Sequence, residues 1–143
     1  MDELYTLTIE LESGAYARTP WKRVVEMPET TDLYDLHLCI QDIVEFGNDH
    51  LFEFFLGRSR RNRKRVFGDE DEFGFEQREG LETKLNQVFP LKGLKLYYYF
   101  DFGDSWMFTI TKGRKRKYVE KRVDYPRVIE SEGQNPEQYP TYE

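Results

Sequence analysis

The chain has 143 residues, 38% hydrophobic and 16% aromatic, enough to build one packed domain and too apolar for a disordered chain. Charged residues make up 34% and the formal net charge is -6, which argues against a general nucleic-acid coat protein. The single cysteine, Cys39, excludes an intrachain disulfide, and no apolar run approaches the roughly 18–20 residues that span a bilayer. The acidic start, Met1-Asp2-Glu3-Leu4-Tyr5, lacks the basic n-region of a signal peptide. A soluble cytoplasmic protein without a membrane partner is expected.

Tyr5, Leu7, Ile9 and Leu11 alternate with polar residues and predict a half-buried strand. Turn residues at Ser13-Gly14 and Thr19-Pro20 lead to a second strand, Trp21 to Met27, ended by Pro28 and paired with the first as an antiparallel hairpin. Thr30-Thr31-Asp32 offers helix N-caps, and Leu33, Leu36, Ile40 and Ile43 mark one face of a helix stopped at Gly47. Cys39 sits among those apolar residues and reads as a buried, inert thiol.

His50 to Leu56 is apolar on both faces and predicts a central strand. A basic loop follows from Arg58 to Arg65, then an irregular stretch from Val66 to Phe75. Leu81, Leu85 and Val88 mark a short helix closed by Pro90. Leu94, Leu96, Tyr98, Phe100 and Phe102 recur at period two, as do Trp106, Phe108 and Ile110, giving two strands around a tight turn. Tyr118 to Val123 suggests an edge strand. The Pro-containing segment 125–143 reads as an extended tail lying on the domain 1–124, or partly disordered. The order β-β-α-β-α-β-β implies an α+β fold: a single two-layer domain, a mixed sheet with one main and one short helix, β-grasp-like.

Candidate chemistry centres on Asp101, Phe102, Gly103, Asp104, Ser105 and Trp106. Two carboxylates so close are an acid/base pair or metal ligands on one reading. On the favoured reading they cap a turn, with Gly103 at positive φ and Asp104 capping the end of the aromatic strand. His37 and His50 are the only histidines; a zinc site wants three or four ligands, spacing does not support the two histidines with Asp101 or Asp104, and hydrogen bonding at a helix end and a strand edge is the expected role of both. No metal or other cofactor is expected. Asp-Phe-Gly here is no kinase motif, because the glycine-rich loop, strand lysine and catalytic loop are missing. No Walker loop, Gly-x-Ser-x-Gly or dinucleotide fingerprint is present.

Two basic runs interrupt the acidic chain. The first holds Arg58, Arg60, Arg61, Arg63, Lys64 and Arg65; the second holds Lys112, Arg114, Lys115, Arg116 and Lys117. If both leave one end of the sheet they can grip a phosphate backbone. Solvated turns, the first neutralised by Asp69-Glu70-Asp71-Glu72, are the slightly favoured alternative.

Trp21-Lys22-Arg23-Val24-Val25-Glu26-Met27-Pro28, Leu33-Tyr34-Asp35-Leu36-His37, Ile40-Gln41, His50-Leu51-Phe52-Glu53-Phe54 and Tyr99 to Trp106 together resemble the plasmid pRiA4b ORF-3-like family. These blocks run from Trp21 to about Ile110. The resemblance implies no established activity. Some members carry a resolvase-like label, but no catalytic serine in a recombinase setting stands here. Family members commonly place histidine two residues after the tryptophan, where this chain has Phe108, and their acidic Pro-Pro-Glu-Asp tail is reduced to Asn135-Pro136-Glu137-Gln138-Tyr139-Pro140. The sequence therefore points to a non-catalytic binding or adaptor module with an unknown protein partner. The alternative is a nucleic-acid-associated protein using the basic loops, linked to mobile elements. A hydrolase using Asp101 and Asp104 ranks third.

Overall fold

The computed structural model describes residues 2–69 and 77–140. Its elements are β1 (Glu3–Ser13), β2 (Lys22–Pro28), α1 (Leu33–Val44), β3 (Phe52–Ser59), β4 (Asn62–Phe67), β5 (Arg78–Glu79), α2 (Leu85–Val88), β6 (Lys95–Phe100), β7 (Trp106–Lys112), β8 (Lys117–Tyr118) and β9 (Arg127–Glu132). The strands form one sheet in the order β5-β4-β3-β6-β7-β1-β2-β9, with β8 paired to the start of β1. Among the described residues only β4 and β5 run parallel, so the sheet is mixed and the fold is α+β.

The alternating pattern of β1 and β2 sets their register: Tyr5 faces Met27 and Leu7 faces Val25. One face of the sheet thus presents Leu7, Ile9, Val25, Met27, Phe54, Leu56, Tyr98, Phe108 and Ile110 to Leu33, Leu36, Ile40 and Val44 of α1. Leu85 and Val88 of α2 join the same core. Each such side chain, taken fully from water, contributes about 1.5–3 kcal/mol before entropy is counted. The opposite face carries a smaller cluster of Phe55, Val66, Tyr97 and Met107.

Asp32 caps α1 by accepting from the Asp35 N–H at 2.8 Å. The helix stops earlier than Gly47. Glu45 takes the left-handed conformation (φ 60), its N–H reaches Asp42 O, and the Phe46 N–H reaches Gln41 O. This paired closure needs an apolar residue next in line, and Phe46 supplies it by packing 4.8 Å from Trp106. β3 begins at Phe52 rather than His50.

The first basic run is not a loop throughout. Asn62–Phe67 is β4, paired with β3 through Leu56↔Arg65 and Gly57↔Arg63, and only Arg60 and Arg61 form the turn. The aliphatic stems and planar heads of these arginines make the pairing possible: Arg63 lies over the Phe55 ring and Arg65 over Phe67. The irregular stretch expected up to Phe75 lies outside the described residues from 70 onward, as do Glu70, Asp71 and Glu72; Val66 and Phe67 belong to β4. The edge strand near Tyr118 is limited to Lys117–Tyr118. In the segment after Tyr125, Arg127–Glu132 joins the sheet as β9, paired antiparallel with β2.

Candidate functional site at the aromatic hairpin

β6 and β7 pair from Leu96↔Ile110 to Phe100↔Trp106, and the turn between them carries the Asp-Phe-Gly-Asp-Ser-Trp motif. Asp101 is the cap of this turn. Its Oδ1 accepts from the Gly103 N–H at 3.2 Å and the Asp104 N–H at 3.3 Å, and its carbonyl accepts from the Ser105 N–H at 2.6 Å. Asp101 and Ser105 hold the positive φ values, 58° and 55°, while Gly103 does not. Asp104 acts through its backbone carbonyl, which accepts from the Ala15 N–H at 2.8 Å. Its carboxylate makes no hydrogen bond or ion pair among the described residues. The capping role expected of Asp104 therefore falls on Asp101, and the positive φ expected of Gly103 falls on Asp101 and Ser105. The reason is its position: the first residue after β6 must turn the chain while its side chain still reaches the following N–H groups. Phe102 is exposed and packs against Tyr99 with the ring centroids 4.8 Å apart and the rings tilted by 31°.

Trp106 is fully buried beneath this turn, and its ring fills the space above Gly14, where a Cβ would come within 2.5 Å. Its indole N–H finds no acceptor among the described residues.

His37 projects from α1 into the core. Its Nδ1 lies 2.5 Å from the Tyr98 hydroxyl and its Nε2 lies 2.7 Å from Asn48 Oδ1. Gln41 Nε2 donates to the same Tyr98 hydroxyl at 2.9 Å, and Gln41 Oε1 accepts from the Asn48 N–H at 2.9 Å. One assignment satisfies every group: Gln41 donates to Tyr98, Tyr98 donates to His37 Nδ1, and the Nε2 proton of His37 goes to Asn48. The imidazole is then neutral, and it stacks flat on Phe52 at 3.5 Å. Burial pushes the His37 pKa down, partly opposed by the hydrogen bond to Asn48.

His50 lies at the mouth of the same hairpin, outside the core. Its Nε2 is 3.4 Å from Asp101 Oδ2, 3.8 Å from Asp49 Oδ1 and 2.5 Å from the Tyr139 hydroxyl. Tyr139 donates to Asp49 Oδ2 at 2.8 Å, and Gln138 bridges Asp49 Oδ1 and the Gly47 N–H. Hydrogen bonding to Asp49, with partial desolvation, pushes the Tyr139 phenol up to about 12. His50, Asp49, Asp101 and Tyr139 thus form one polar cluster at the mouth of the hairpin. No group of three or more His, Cys, Asp or Glu disposed to hold a metal is found among the described residues. The thiol of Cys39 is buried, and burial together with Asp42 pushes its pKa up to about 12, which leaves it protonated and unreactive.

Two buried glutamates on the sheet's second face carry no signal in the sequence. Glu53 holds Arg63 at 2.5 Å and Arg78 at 2.9 Å. Glu26 accepts from Lys117 at 3.0 Å and from Arg127 at 2.7 Å and 3.0 Å. Both are apolar-flanked strand residues whose burial follows only from which face is covered.

These pairs divide the basic runs. Arg63 and Arg65 are bound to Glu53 and Glu79, and Arg116 and Lys117 to Glu3 and Glu26. Arg60 reaches Ser13 at the end of β1, whereas Arg116 and Lys117 are held near its start and across from it on β2. The tips of the two runs are therefore fixed at opposite ends of an eleven-residue strand, about 30 Å long at 3.3 Å per residue. Arg58, Arg61, Lys64, Arg114 and Lys115 have no acidic partner among the described residues.

The sequence profile of the family described as plasmid pRiA4b ORF-3-like protein matches residues 3–139. No curated protein matches the chain. The crystal structure of the protein of unknown function MM3350 from Methanosarcina mazei Go1 shares the fold with a TM-score of 0.76 at 23% identity, over 92% of this chain and 70% of that one. No helix among the described residues is long and apolar enough to cross a membrane. The chain belongs to the plasmid pRiA4b ORF-3-like family.

Proposed function

We propose that this chain is a soluble, cytoplasmic, non-catalytic binding module on a two-layer, β-grasp-like scaffold, with a protein as its partner. One observation carries the reading: His37 and Asp101, the family-motif residues most suited to chemistry, are engaged inside the fold. His37 belongs to a closed network with Tyr98, Gln41 and Asn48, and Asp101 caps its own turn. A general base needs a free lone pair beside an open cleft, and a nucleophile needs a base within reach. Neither arrangement is built around His37, and the Nε2 of His50 already faces Tyr139. Among the described residues no strand pairs with the outer edge of β9, which suits it to strand addition, with Val128 and Ile129 exposed beside it.

Seven cations of the two basic runs, Arg60 and Lys112 among them, have no acidic partner among the described residues, and they support a second reading, nucleic-acid association. Fluorescence anisotropy with labelled DNA and RNA at about 10 mM salt, where the Debye length is about 30 Å, separates the two. The module reading expects no binding there. Saturable binding whose log–log salt slope drops by about 0.7–0.9 per cation removed replaces it with the nucleic-acid reading. A folded Asp101→Asn or His50→Gln variant that keeps its melting temperature but loses an enzymatic activity of the parent overturns the non-catalytic part.

A further inference from the structure

The second basic run opens onto a cavity of about 410 Å3 on the helix-bearing face, walled by Tyr5, Phe89, Pro90 and Leu91 and rimmed by Lys112 and Arg114. That volume lies within the range of small-molecule sites. The walls are firm. Tyr5 and Phe89 are buried and meet edge to face at 5.9 Å. Lys112 Nζ stands 4.8 Å over the Tyr5 ring, its only hydrogen bond among the described residues going to Gly113 O at 3.3 Å.

The rim is positive and uncompensated. Lys112 and Arg114 have no carboxylate partner among the described residues, although their neighbours Arg116 and Lys117 do. Of the carboxylates that act on Tyr5, Glu3 pairs with Arg116, while Glu29 keeps its charge and is bonded to the Glu3 N–H and Asn86 instead of to Lys112 or Arg114. The Tyr5 hydroxyl makes no hydrogen bond among the described residues. Unpaired cations above a hydrocarbon floor suit a ligand that is negative at one end and apolar at the other. The floor offers nothing to the sugars of a nucleic-acid backbone.

We infer that this cavity binds a small organic anion, a carboxylate carried on an aromatic or aliphatic body, with the acid group at Lys112 and Arg114 and the body between Phe89 and Leu91. The inference rests on the reading of the chain as a binding module and names a ligand class for it.

The test is a titration with 1-naphthaleneacetate and its neutral amide, 1-naphthaleneacetamide, followed by calorimetry and by amide chemical shifts. The acid is expected to bind one to one and to shift Leu91, Thr111 and Gly113. The amide should bind about tenfold more weakly, the worth of one charge-assisted contact. Lys112→Gln with Arg114→Gln, both on the protein's surface, should cost the acid about the same factor and leave the amide unchanged. Equal affinity for acid and amide, shifts centred elsewhere, or no saturation by about 5 mM acid, where even a millimolar site fills, overturns the inference. Those results leave the module reading standing. Chemical conversion of a probe that binds here overturns the module reading and leaves the cavity standing.

Discussion

The Tyr98 hydroxyl meets Nδ1 of His37 at 2.5 Å inside the core, joining the central strand β6 to α1 through a polar contact between two buried residues. Such a contact stabilises only while both partners stay neutral and correctly tautomeric. Its behaviour with pH follows. In the unfolded chain the imidazole takes up a proton near pH 6.5. In the fold, burial holds its pKa lower. Below about pH 6.5 the unfolded chain binds more protons than the folded one, so stability falls as pH drops from about 7 and levels off beneath the folded pKa. His37→Gln should lower stability by about 1–3 kcal/mol at pH 7.5 and flatten the slope between pH 7 and 5. Equal slopes for parent and variant in denaturant melts would show that His37 is not buried neutral.

Asp101 and Asp104 should separate cleanly. Asp101→Ala loses two N–H contacts and leaves alanine at φ 58, for a cost of about 2–3 kcal/mol. Asp101→Asn keeps an acceptor and tolerates the left-handed backbone, so it should cost less than about 1 kcal/mol. Asp104→Ala should lie within about 0.5 kcal/mol of the parent. Thermal melts of the three variants decide, and a larger loss for Asp104→Ala than for Asp101→Ala would reverse the assignment.

Periodicity made the core hairpins legible. Leu7, Ile9, Val25 and Met27 alternate cleanly, and the aromatic run of β6 reads as a strand, with Leu96, Tyr98 and Phe100 on the main core face and Tyr97 buried on the other. The basic strand β4 was hidden because Arg63, Lys64 and Arg65 carry no apolar alternation; their pairing depends on Glu53 and Glu79, ten and fourteen residues away. The place of β9 was hidden for the same reason. All six of its residues are exposed, so its sequence carries no burial signal, and its position is set by backbone pairing with β2 and by Glu26. At the candidate site, the motif was legible as a turn. Which aspartate caps it depends on backbone angles that residue types do not encode. Tyr139 was missed because its partner Asp49 lies 90 residues away.

Tyr139 fastens the C-terminal segment to the mouth of the aromatic hairpin through His50 and Asp49. Tyr139→Phe keeps the ring and removes these contacts together with the one from Gln138. Hydrogen exchange of the amides from 134 to 140 should speed up several-fold, while Leu96 and Ile110 in the central strands stay protected. Uniform acceleration across the sheet would mean that this segment is part of the cooperative core instead of a local fastening.

Glu26 is the pivot of the other edge. It is 2% exposed, on β2, and it collects Lys117 from β8 and Arg127 from β9. Burial alone would raise its pKa, but the hydrogen bonds from Lys117 and Arg127, with their charges, outweigh it and hold the carboxyl below the usual range. Its contribution is therefore complete above the unfolded pKa of about 4.3 and is lost as pH falls through the lower folded value. Lys117 and Arg127 are both partly exposed, so solvent weakens each pair. Glu26→Gln should cost about 2 kcal/mol at pH 7, less than a fully buried pair, because two cations lose their partner while water can still reach them. The loss should concentrate on β9: amide exchange from Arg127 to Glu132 should rise well above that of β1 and β2. Glu26→Leu fills the same space without a charge and is expected to hold the β1–β2 pairing while still releasing β9. Wild-type protection of Val128 in both variants would show that backbone pairing alone holds this edge and that the buried carboxylate is not what attaches it.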